Sequence, residues 1–205
     1  WLQYLLGKHS FSQSLPKPNW IIGAGSGTHP TILGAGRQFK ATTIVLMAPS
    51  ALIRARFDLC ILPEHDQISG NNTVTTRGAL NTIRPSQRPS SDQGLFLIGG
   101  PSKHHSWDEA HLIEQVETIL QQNPQIHWKL TTSRRTPQTT LTALNAVQQT
   151  NVSIYPSDQT PKGWVPEALS ESATVWVTED SVSMVYEALS SGASVGLLQV
   201  PRISK

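Results

Sequence analysis

Cysteine is almost absent from the sequence, with Cys60 the only one in 205 residues. A single cysteine excludes a disulfide within the chain and is typical of a reducing compartment such as the cytoplasm. No apolar run approaches the roughly 20 residues that a membrane-spanning helix needs. There is also no signal-peptide pattern. We therefore expect a soluble, cytoplasmic protein with no transmembrane segment.

Charge is scarce as well. Charged residues make up 15% of the chain, and the formal net charge is only +2. Nucleic-acid-binding domains carry a much stronger basic balance, so we expect no nucleic-acid partner. Hydrophobic residues reach 38%, which is typical of a globular protein and excludes a disordered chain. This length suits one large domain or two small ones.

Short stretches rich in β-branched residues recur along the chain and predict strands. These stretches are WIIGAG, TTIVLMAP, FDLCILP, NTVTTRG, GLFLIGG, IHWKLTTS, VSIYPS, TVWVTED and SVGLLQV. Their nearly continuous apolar character predicts parallel strands buried on both faces. Helical patterns separate several of them, which predicts α/β layers with right-handed crossovers.

Three helices can be predicted in the second half. Ser106 and Glu109 have the spacing of a capping box, which predicts a helix start there. Residues 136–137, Thr-Pro, predict the N-cap and first residue of the next helix.

The third helix follows the stretch VTEDSVSM, which places short polar residues between an apolar strand and an apolar helix. Residues 175–178 are predicted to end a central parallel strand, and the helix is predicted to start within residues 179–181. Its apolar stripe, formed by Val182, Val185 and Leu189, is expected to pack on the sheet. Gly192 is placed to end it.

Residues 84–94 are rich in proline, serine and charge, and they predict a linker. We therefore expect two Rossmann-like domains that face each other across a cleft, over residues 1–85 and 94–205. Because such a linker joins the two domains, we expect the cleft between them to open and close by hinge rotation at the linker.

Polar loops follow several strands of the second half, in the segments GGPSKHHS, TTSRRTP and TEDSVSM. In open parallel sheets, ligands bind beyond the carboxyl ends of the strands, where helix N-termini expose N–H groups. These loops are therefore expected to converge on one ligand crevice.

The segments GGPSKHHSWDEA, TTSRRTP and TEDSVSMVYEALSSGASVGLL, together with FDLCILPEHD in the first half, resemble the mitochondrial fission protein family of the elongated-mitochondria type. That family is similar to glycosyltransferases of the two-Rossmann-domain (GT-B) type, whose C-terminal half binds a nucleotide-sugar. The resemblance implies a GT-B-like fold. The sequence begins without the glycine-rich strand and loop expected of the family, which predicts an incomplete first domain.

The first group of candidate ligand residues would bind phosphate. Gly99, Gly100 and Ser102 would let the backbone approach a diphosphate closely, although a tight strand-to-helix turn also explains two glycines. Arg134 and Arg135 would clamp phosphate oxygens; their alternative is a solvated loop pair.

The second group follows the eighth predicted strand. Glu179, Asp180, Ser181 and Ser183 offer more polar groups than one helix cap requires, so we predict a ligand contact there. Capping alone is the alternative. The resemblance implies that Glu187 binds a ribose, and a surface glutamate is the other interpretation.

His65 and Asp66 are candidate catalytic bases, because they follow a strand and histidine titrates near neutral pH. A polar loop is the alternative. His104, His105 and His111 lack a metal-ligand spacing, and neither a metal nor another cofactor is predicted.

Two functions follow. The first is a glycosyltransferase-like protein that binds a nucleotide-sugar or another phosphate-containing small molecule. The second, implied by the plant members of the family, is a non-catalytic scaffold that acts through a protein partner. Fold alone does not separate them.

Overall fold

The computed structural model describes residues 16–87 and 89–203. The chain forms two compact units, Trp1–Leu80 and Asn81–Lys205. Each unit contains its own parallel sheet. All nine predicted strands are confirmed, since a strand overlaps each predicted stretch, although the fifth and eighth strands begin before theirs, at Ser90 and Ser172.

The predicted linker is partly wrong, because the fifth strand already begins at Ser90. Just before it, the backbone N–H of Ser86 donates to the carbonyl of Ser191 at 2.8 Å. The stretch around Ser86 is therefore an integral part of the second unit, which begins at Asn81. The proline, serine and charged residues correctly predicted that the described residues just before the fifth strand are irregular. The sequence did not reveal that Ser86 contacts a residue about a hundred positions later, Ser191.

In its described part, the first unit has four parallel strands in the order β1-β2-β3-β4. They are β1 (Trp20–Ala24), β2 (Thr42–Leu46), β3 (Leu59–Pro63) and β4 (Thr73–Thr76). Two α-helices accompany them within residues 16–80, α1 (His29–Phe39) and α2 (Ala51–Arg54). Short 3-10 turns span Ser26–Thr28 and Glu64–Asp66.

Helix α1 lies very close to the sheet. A Cβ on Gly36 would stand only 2.3 Å from the Thr43 Cγ2, so only glycine permits this approach. The helix has proline in its first turn, which suits the fixed backbone angle of that residue. The core below it includes Cys60, which is fully buried and acts as a small hydrophobic residue.

The opposite face of this first sheet differs from the prediction. Trp20, Ile22 and Val74 are 68%, 56% and 50% exposed. The strand register aligns Ile22 with Ile44 and Val74 with Ile61, so these side chains share one apolar face. In the described part of the chain this face stays largely open, and the expectation that both faces are buried is wrong here.

His29 is a buried titratable group in the first unit. Its side chain is 4% exposed, its ring meets Phe57 edge-on at 5.6 Å, and its Nε2 has no hydrogen-bond partner among the described residues. Burial lowers the pKa of His29 below its usual 6.5.

We expect the first unit to lose stability on acidification because of His29. A lowered folded-state pKa means that the unfolded chain takes up the proton first, so stability falls once the pH drops below 6.5. Urea unfolding between pH 8 and 5 should show a smaller loss for His29→Leu than for the unchanged chain. His127→Leu, at an exposed histidine, is the control. Equal pH dependence of His29→Leu and the unchanged chain would contradict this.

The second unit has five parallel strands in the order β7-β6-β5-β8-β9. They are β5 (Ser90–Leu97), β6 (His127–Thr131), β7 (Val152–Tyr155), β8 (Ser172–Thr178) and β9 (Ser194–Leu198). Four helices connect them, α3 (Glu109–Gln122), α4 (Gln138–Asn145), α5 (Trp164–Glu171) and α6 (Val182–Ser190). The prediction that residues 175–178 end an interior parallel strand is confirmed, since β8 lies between β5 and β9.

Each face of this sheet carries a separate apolar core. Helices α3 and α4 cover one face, where Phe96, Trp128 and Leu144 pack together. Helices α5 and α6 cover the other, where Leu97 and Val177 are buried. The layers therefore match the predicted α/β arrangement, with both faces of this sheet buried.

The helix starts differ in part from the predicted ones. Helix α3 is capped by Asp108, whose Oδ1 accepts from the His111 N–H at 3.1 Å, and not by Ser106. Ser106 instead donates from its backbone to the Pro201 carbonyl at 2.9 Å. Helix α4 has Pro137 at its N-cap and starts one residue later than predicted.

The packing face of α6 also differs from the predicted stripe. Val182 and Leu189 are 51% and 52% exposed. Of the predicted stripe only Val185 packs on the core, and Met184 and the fully buried Ala188 complete the packing face. Gly192 follows the helix with φ of 81°, as predicted for its C-terminal glycine.

Within the described ranges, no helix is both long and apolar enough to cross a membrane.

Candidate ligand site

The strand order locates a crevice in the second unit. From β5 the chain moves to β6 and β7 on one side and later returns to β8 and β9 on the other. In open α/β sheets, ligands bind beyond the carboxyl ends of the strands where this reversal occurs. Here that point lies between the ends of β5 and β8. The residues that follow these two strands therefore form the candidate site.

Gly99 and Gly100, which follow β5, are in close contact with the chain itself. A Cβ on Gly99 would lie 2.3 Å from the Asp180 Oδ1, and one on Gly100 would lie 2.3 Å from the Arg135 carbonyl oxygen. The Gly99 N–H donates to the Thr178 hydroxyl at 2.7 Å. Internal packing is thus a sufficient reason for both glycines.

Asp180 and Arg135 form an ion pair across the crevice. The Asp180 Oδ2 accepts from the Arg135 Nη2 at 2.7 Å and from the Gly100 N–H at 3.2 Å. The Arg135 Nη1 also donates to the carbonyls of Gly100 at 2.6 Å and Pro101 at 2.9 Å. The Asp180 side chain is 0% exposed, whereas that of Arg135 is 42% exposed.

The two arginines therefore have different environments. The guanidinium of Arg135 donates hydrogen bonds to two carbonyls of the loop after β5 and to the carboxylate of Asp180. Arg134 is exposed, and among the described residues its guanidinium has no hydrogen-bond or ion-pair partner. Of the pair that the sequence singled out, only Arg134 is available to a ligand without breaking internal contacts.

Ser102 closes the turn after β5. Its hydroxyl accepts from the backbone N–H groups of His104 at 3.2 Å and His105 at 3.1 Å. The segment after β9 lies against this turn, since the Ile203 N–H donates to the His104 carbonyl at 2.9 Å. The loop is therefore held on two sides.

Glu179 supports the same segment after β9. Its Oε1 accepts from the Val200 N–H at 3.3 Å, and its Oε2 meets the Arg202 guanidinium at 3.5 Å. These contacts assign Glu179 a positioning role in this structure.

Ser181 and Ser183 lie at the start of α6. Ser181 occupies the N-cap position, but its side chain makes no capping hydrogen bond. Ser183 is exposed in the first turn. The capping alternative thus does not account for the Ser181 hydroxyl, because the helix forms without using it.

Glu187 lines a cavity of about 280 Å³ in the second unit. The cavity lies at the carboxyl ends of β5 and β6 and between α5 and α6. It is lined by Thr82, Ile83, Leu97, Ile98, Thr131, Thr132, Val165, Pro166, Met184 and Glu187. Sequence reasoning found only Glu187, because the other members come from five separate segments and carry no motif.

The carboxylate of Glu187 is partly buried, and burial raises its pKa. Among the described residues it has no hydrogen-bond or ion-pair partner. An ionised carboxylate in such surroundings favours a ligand that donates hydrogen bonds.

His65 and Asp66 lie in the first unit, on the short 3-10 turn that follows β3. The His65 Nε2 stands 3.8 Å from the Asp66 Oδ1, and the two side chains are 45% and 30% exposed. Both groups are accessible at the carboxyl end of their sheet, where the sequence predicted them.

Comparison with known proteins identifies a family and a fold. Residues 3–205 match the family described as Mitochondrial fission ELM1. No curated protein matches the sequence. The structure is similar to that of the UDP-GlcNAc 2-epimerase from Neisseria meningitidis bound to UDP-GlcNAc, with 13% identity and a TM-score of 0.55 over 88% of this chain and 59% of that one.

Two further structures are similar. The pneumococcal O-GlcNAc transferase GtfA, in complex with UDP and GlcNAc, has 11% identity and a TM-score of 0.54 over 95% of this chain and 44% of that one. TarM has 12% identity and a TM-score of 0.51, over 87% of this chain and 40% of that one. The chain thus spans 40 to 59% of the length of these three proteins. At these identities the similarity establishes an α/β fold like that of GT-B glycosyltransferases.

Proposed function

The chain belongs to the mitochondrial fission ELM1 family, and on that premise we propose that its second unit binds a nucleotide-sugar in the manner of a glycosyltransferase. The nucleoside lies in the cavity beside Glu187, and the diphosphate lies along the loop after β5. Two similar structures hold such ligands, UDP-GlcNAc in the epimerase and UDP with GlcNAc in GtfA.

The unpartnered carboxylate of Glu187 is the observation that carries this proposal. It is partly buried at the edge of a largely apolar cavity and meets no donor among the described residues. A ribose offers two neighbouring hydroxyl groups, and a carboxylate with two free oxygens accepts from both. A cavity of about 280 Å³ lies near the lower end of the range of ligand pockets, roughly 300–1,000 Å³. It suits a nucleoside.

The proposed position of the diphosphate is the loop that directly follows the cavity residues of β5 along the chain. Ile98 lines the cavity and leads directly into Gly99, Gly100 and Ser102. Arg134 supplies a cation with no internal partner among the described residues. The first-turn N–H groups of α6, with Ser181 and Ser183, supply neutral donors and the positive end of a helix dipole.

Transfer of the sugar would need a group that takes a proton from the acceptor. His65 and Asp66 are our candidates, because they are accessible neighbours beyond the end of β3. Neutralisation of the departing diphosphate by Arg134 and backbone N–H groups would provide the electrostatic part of catalysis.

Calorimetric titration with UDP and UDP-GlcNAc tests the proposal. At a ligand concentration of a hundred times Kd, binding should raise stability by about 2.7 kcal/mol. Glu187→Ala should weaken binding roughly 10- to 100-fold, since hydrogen bonds to charged groups contribute about 1.5–3 kcal/mol. Glu114→Ala, at a glutamate whose side chain is 79% exposed on α3, is the matched control.

The outcomes separate the two functions. Binding that Glu187→Ala and Glu114→Ala affect equally would remove Glu187 from the site. Absence of binding to any nucleotide or nucleotide-sugar would reject the enzyme-like function. It would favour the alternative, a non-catalytic scaffold that acts through a protein partner.

A further inference from the structure

We propose that Asp180 and Arg135, which we name the latch, act as an internal competitor that limits the affinity of the second unit for a diphosphate. This inference rests on the proposed function and concerns the same site. It assigns Asp180 the opposite role from that of a ligand-binding residue.

Asp180 occupies the crevice that the strand order assigns to a ligand. Its two carboxylate oxygens would lie 2.3 and 2.4 Å from a Cβ on Gly99, so the side chain lies directly against the loop after β5. The side chain is 0% exposed, and it adds a negative charge at the reversal point of the sheet. A diphosphate approaching the same loop meets this charge.

The latch also occupies the donors that a diphosphate would use. The Asp180 Oδ2 accepts from both the Arg135 guanidinium and the Gly100 N–H. An arginine fork and a glycine backbone N–H are typical phosphate-binding groups. Asp180 therefore takes the place of a phosphate oxygen, and Arg135 contributes no uncompensated positive charge.

The carboxylate is incompletely satisfied in this position. Its Oδ1 is buried and has no hydrogen-bond partner among the described residues. An unsatisfied buried acceptor raises the free energy of the closed latch. A diphosphate that takes over the donors of Arg135 and Gly100 therefore displaces an anion that is not fully stabilised where it lies.

The nucleoside cavity does not involve the latch. Neither Asp180 nor Arg135 is among the residues that line it. The latch therefore acts on the diphosphate alone, and the ratio of UDP affinity to uridine affinity measures its effect.

The test compares uridine, UDP and inorganic pyrophosphate by calorimetry on three proteins. They are the unchanged chain, Asp180→Asn, which removes the charge and keeps an oxygen for the Gly100 N–H, and Asp158→Asn. The last makes the same charge change at an exposed residue that follows β7. Circular dichroism and thermal unfolding verify that each variant folds.

In Asp180→Asn, the UDP-to-uridine affinity ratio should rise on the order of tenfold, as expected for removal of one nearby unit charge. Pyrophosphate affinity should rise by a similar factor. Uridine affinity should stay unchanged, and Asp158→Asn should match the unchanged chain in all three titrations.

Three results would overturn the latch. The first is an unchanged ratio in Asp180→Asn while uridine still binds, which leaves the proposed function standing. The second is weaker binding of UDP and pyrophosphate, which would make Asp180 a ligand-positioning residue. The third is failure of both Asp180→Asn and Asp180→Ser to fold. A carboxylate that the fold requires in this position could not move away from Arg135 and Gly100 when a ligand binds.

Failure of the proposed function gives a different pattern. Neither uridine nor UDP would then bind to any of the three proteins. The pyrophosphate titration still tests the latch in that case. Tighter pyrophosphate binding to Asp180→Asn than to the unchanged chain supports the latch, and equal or absent binding rejects it.

Discussion

Replacement of Arg135 by alanine should lower the free energy of unfolding of the second unit by about 3 kcal/mol, because it leaves a charged Asp180 without its cation. The carboxylate is 0% exposed and has no other charged partner within the described residues. The loop after β5 also loses the two donations to the carbonyls of Gly100 and Pro101. Urea unfolding followed by far-UV circular dichroism measures the change.

Arg134→Ala is the matched control, since it removes the same charge from the neighbouring residue. Arg134 is exposed, and its stability effect should stay within about 0.5 kcal/mol. Equal losses in the two variants would contradict the division between a structural Arg135 and an available Arg134. The double variant Arg135→Ala, Asp180→Asn should recover part of the loss, because the buried charge is then absent.

Gly94→Ala should destabilise the second unit by about 3 kcal/mol, the upper end of the usual cost of overpacking a core. Gly94 on β5 is paired with Trp128 on β6, and the indole lies across the glycine. A Cβ at this position would stand 2.4 Å from the Trp128 Cε3. Trp128 is 2% exposed and also packs on Phe96 at 4.6 Å, so it has no room to move.

Thermal unfolding and urea titration of Gly94→Ala measure this effect. Gly27→Ala is the control, because a Cβ on Gly27 meets nothing within 4 Å. Gly196, paired with Trp176 on β8, repeats the same arrangement, with a Cβ that would lie 2.4 Å from the Trp176 Cε3. Its substitution should be less costly, since Trp176 is only partly buried. A Gly94→Ala protein as stable as the control would contradict the packing argument.

Much of the fold was predictable from the sequence. The nine strands and the α/β class follow from short β-branched runs separated by helical spacing, which is a local signal. The helix ends were less accurate. Ser106 has the spacing of a capping box, but its backbone is engaged by Pro201, and Asp108 caps the helix instead.

The sequence predicted which segments form the candidate site, but not how their residues contact one another. The strand-to-helix junctions locate Gly99, Arg135 and Asp180 on one rim, because the carboxyl ends of parallel strands meet at one edge of a sheet. Their mutual contacts were not predictable. Whether a polar residue binds a ligand or another residue of the chain depends on distances between segments that lie 35 or more positions apart.

The sequence by itself determined the strands, three helices of the second unit, and the presence of two arginines after β6 and acidic residues after β8. These features depend on backbone preferences and local spacing, which act within a few residues. Only the tertiary structure decided that Arg135 is bound internally while Arg134 is exposed. It also decided that Glu187 faces a cavity rather than bulk solvent. The physical reason is that burial and charge pairing depend on contacts between segments that the crossovers bring together. The residues next to each position in the chain do not predict those contacts.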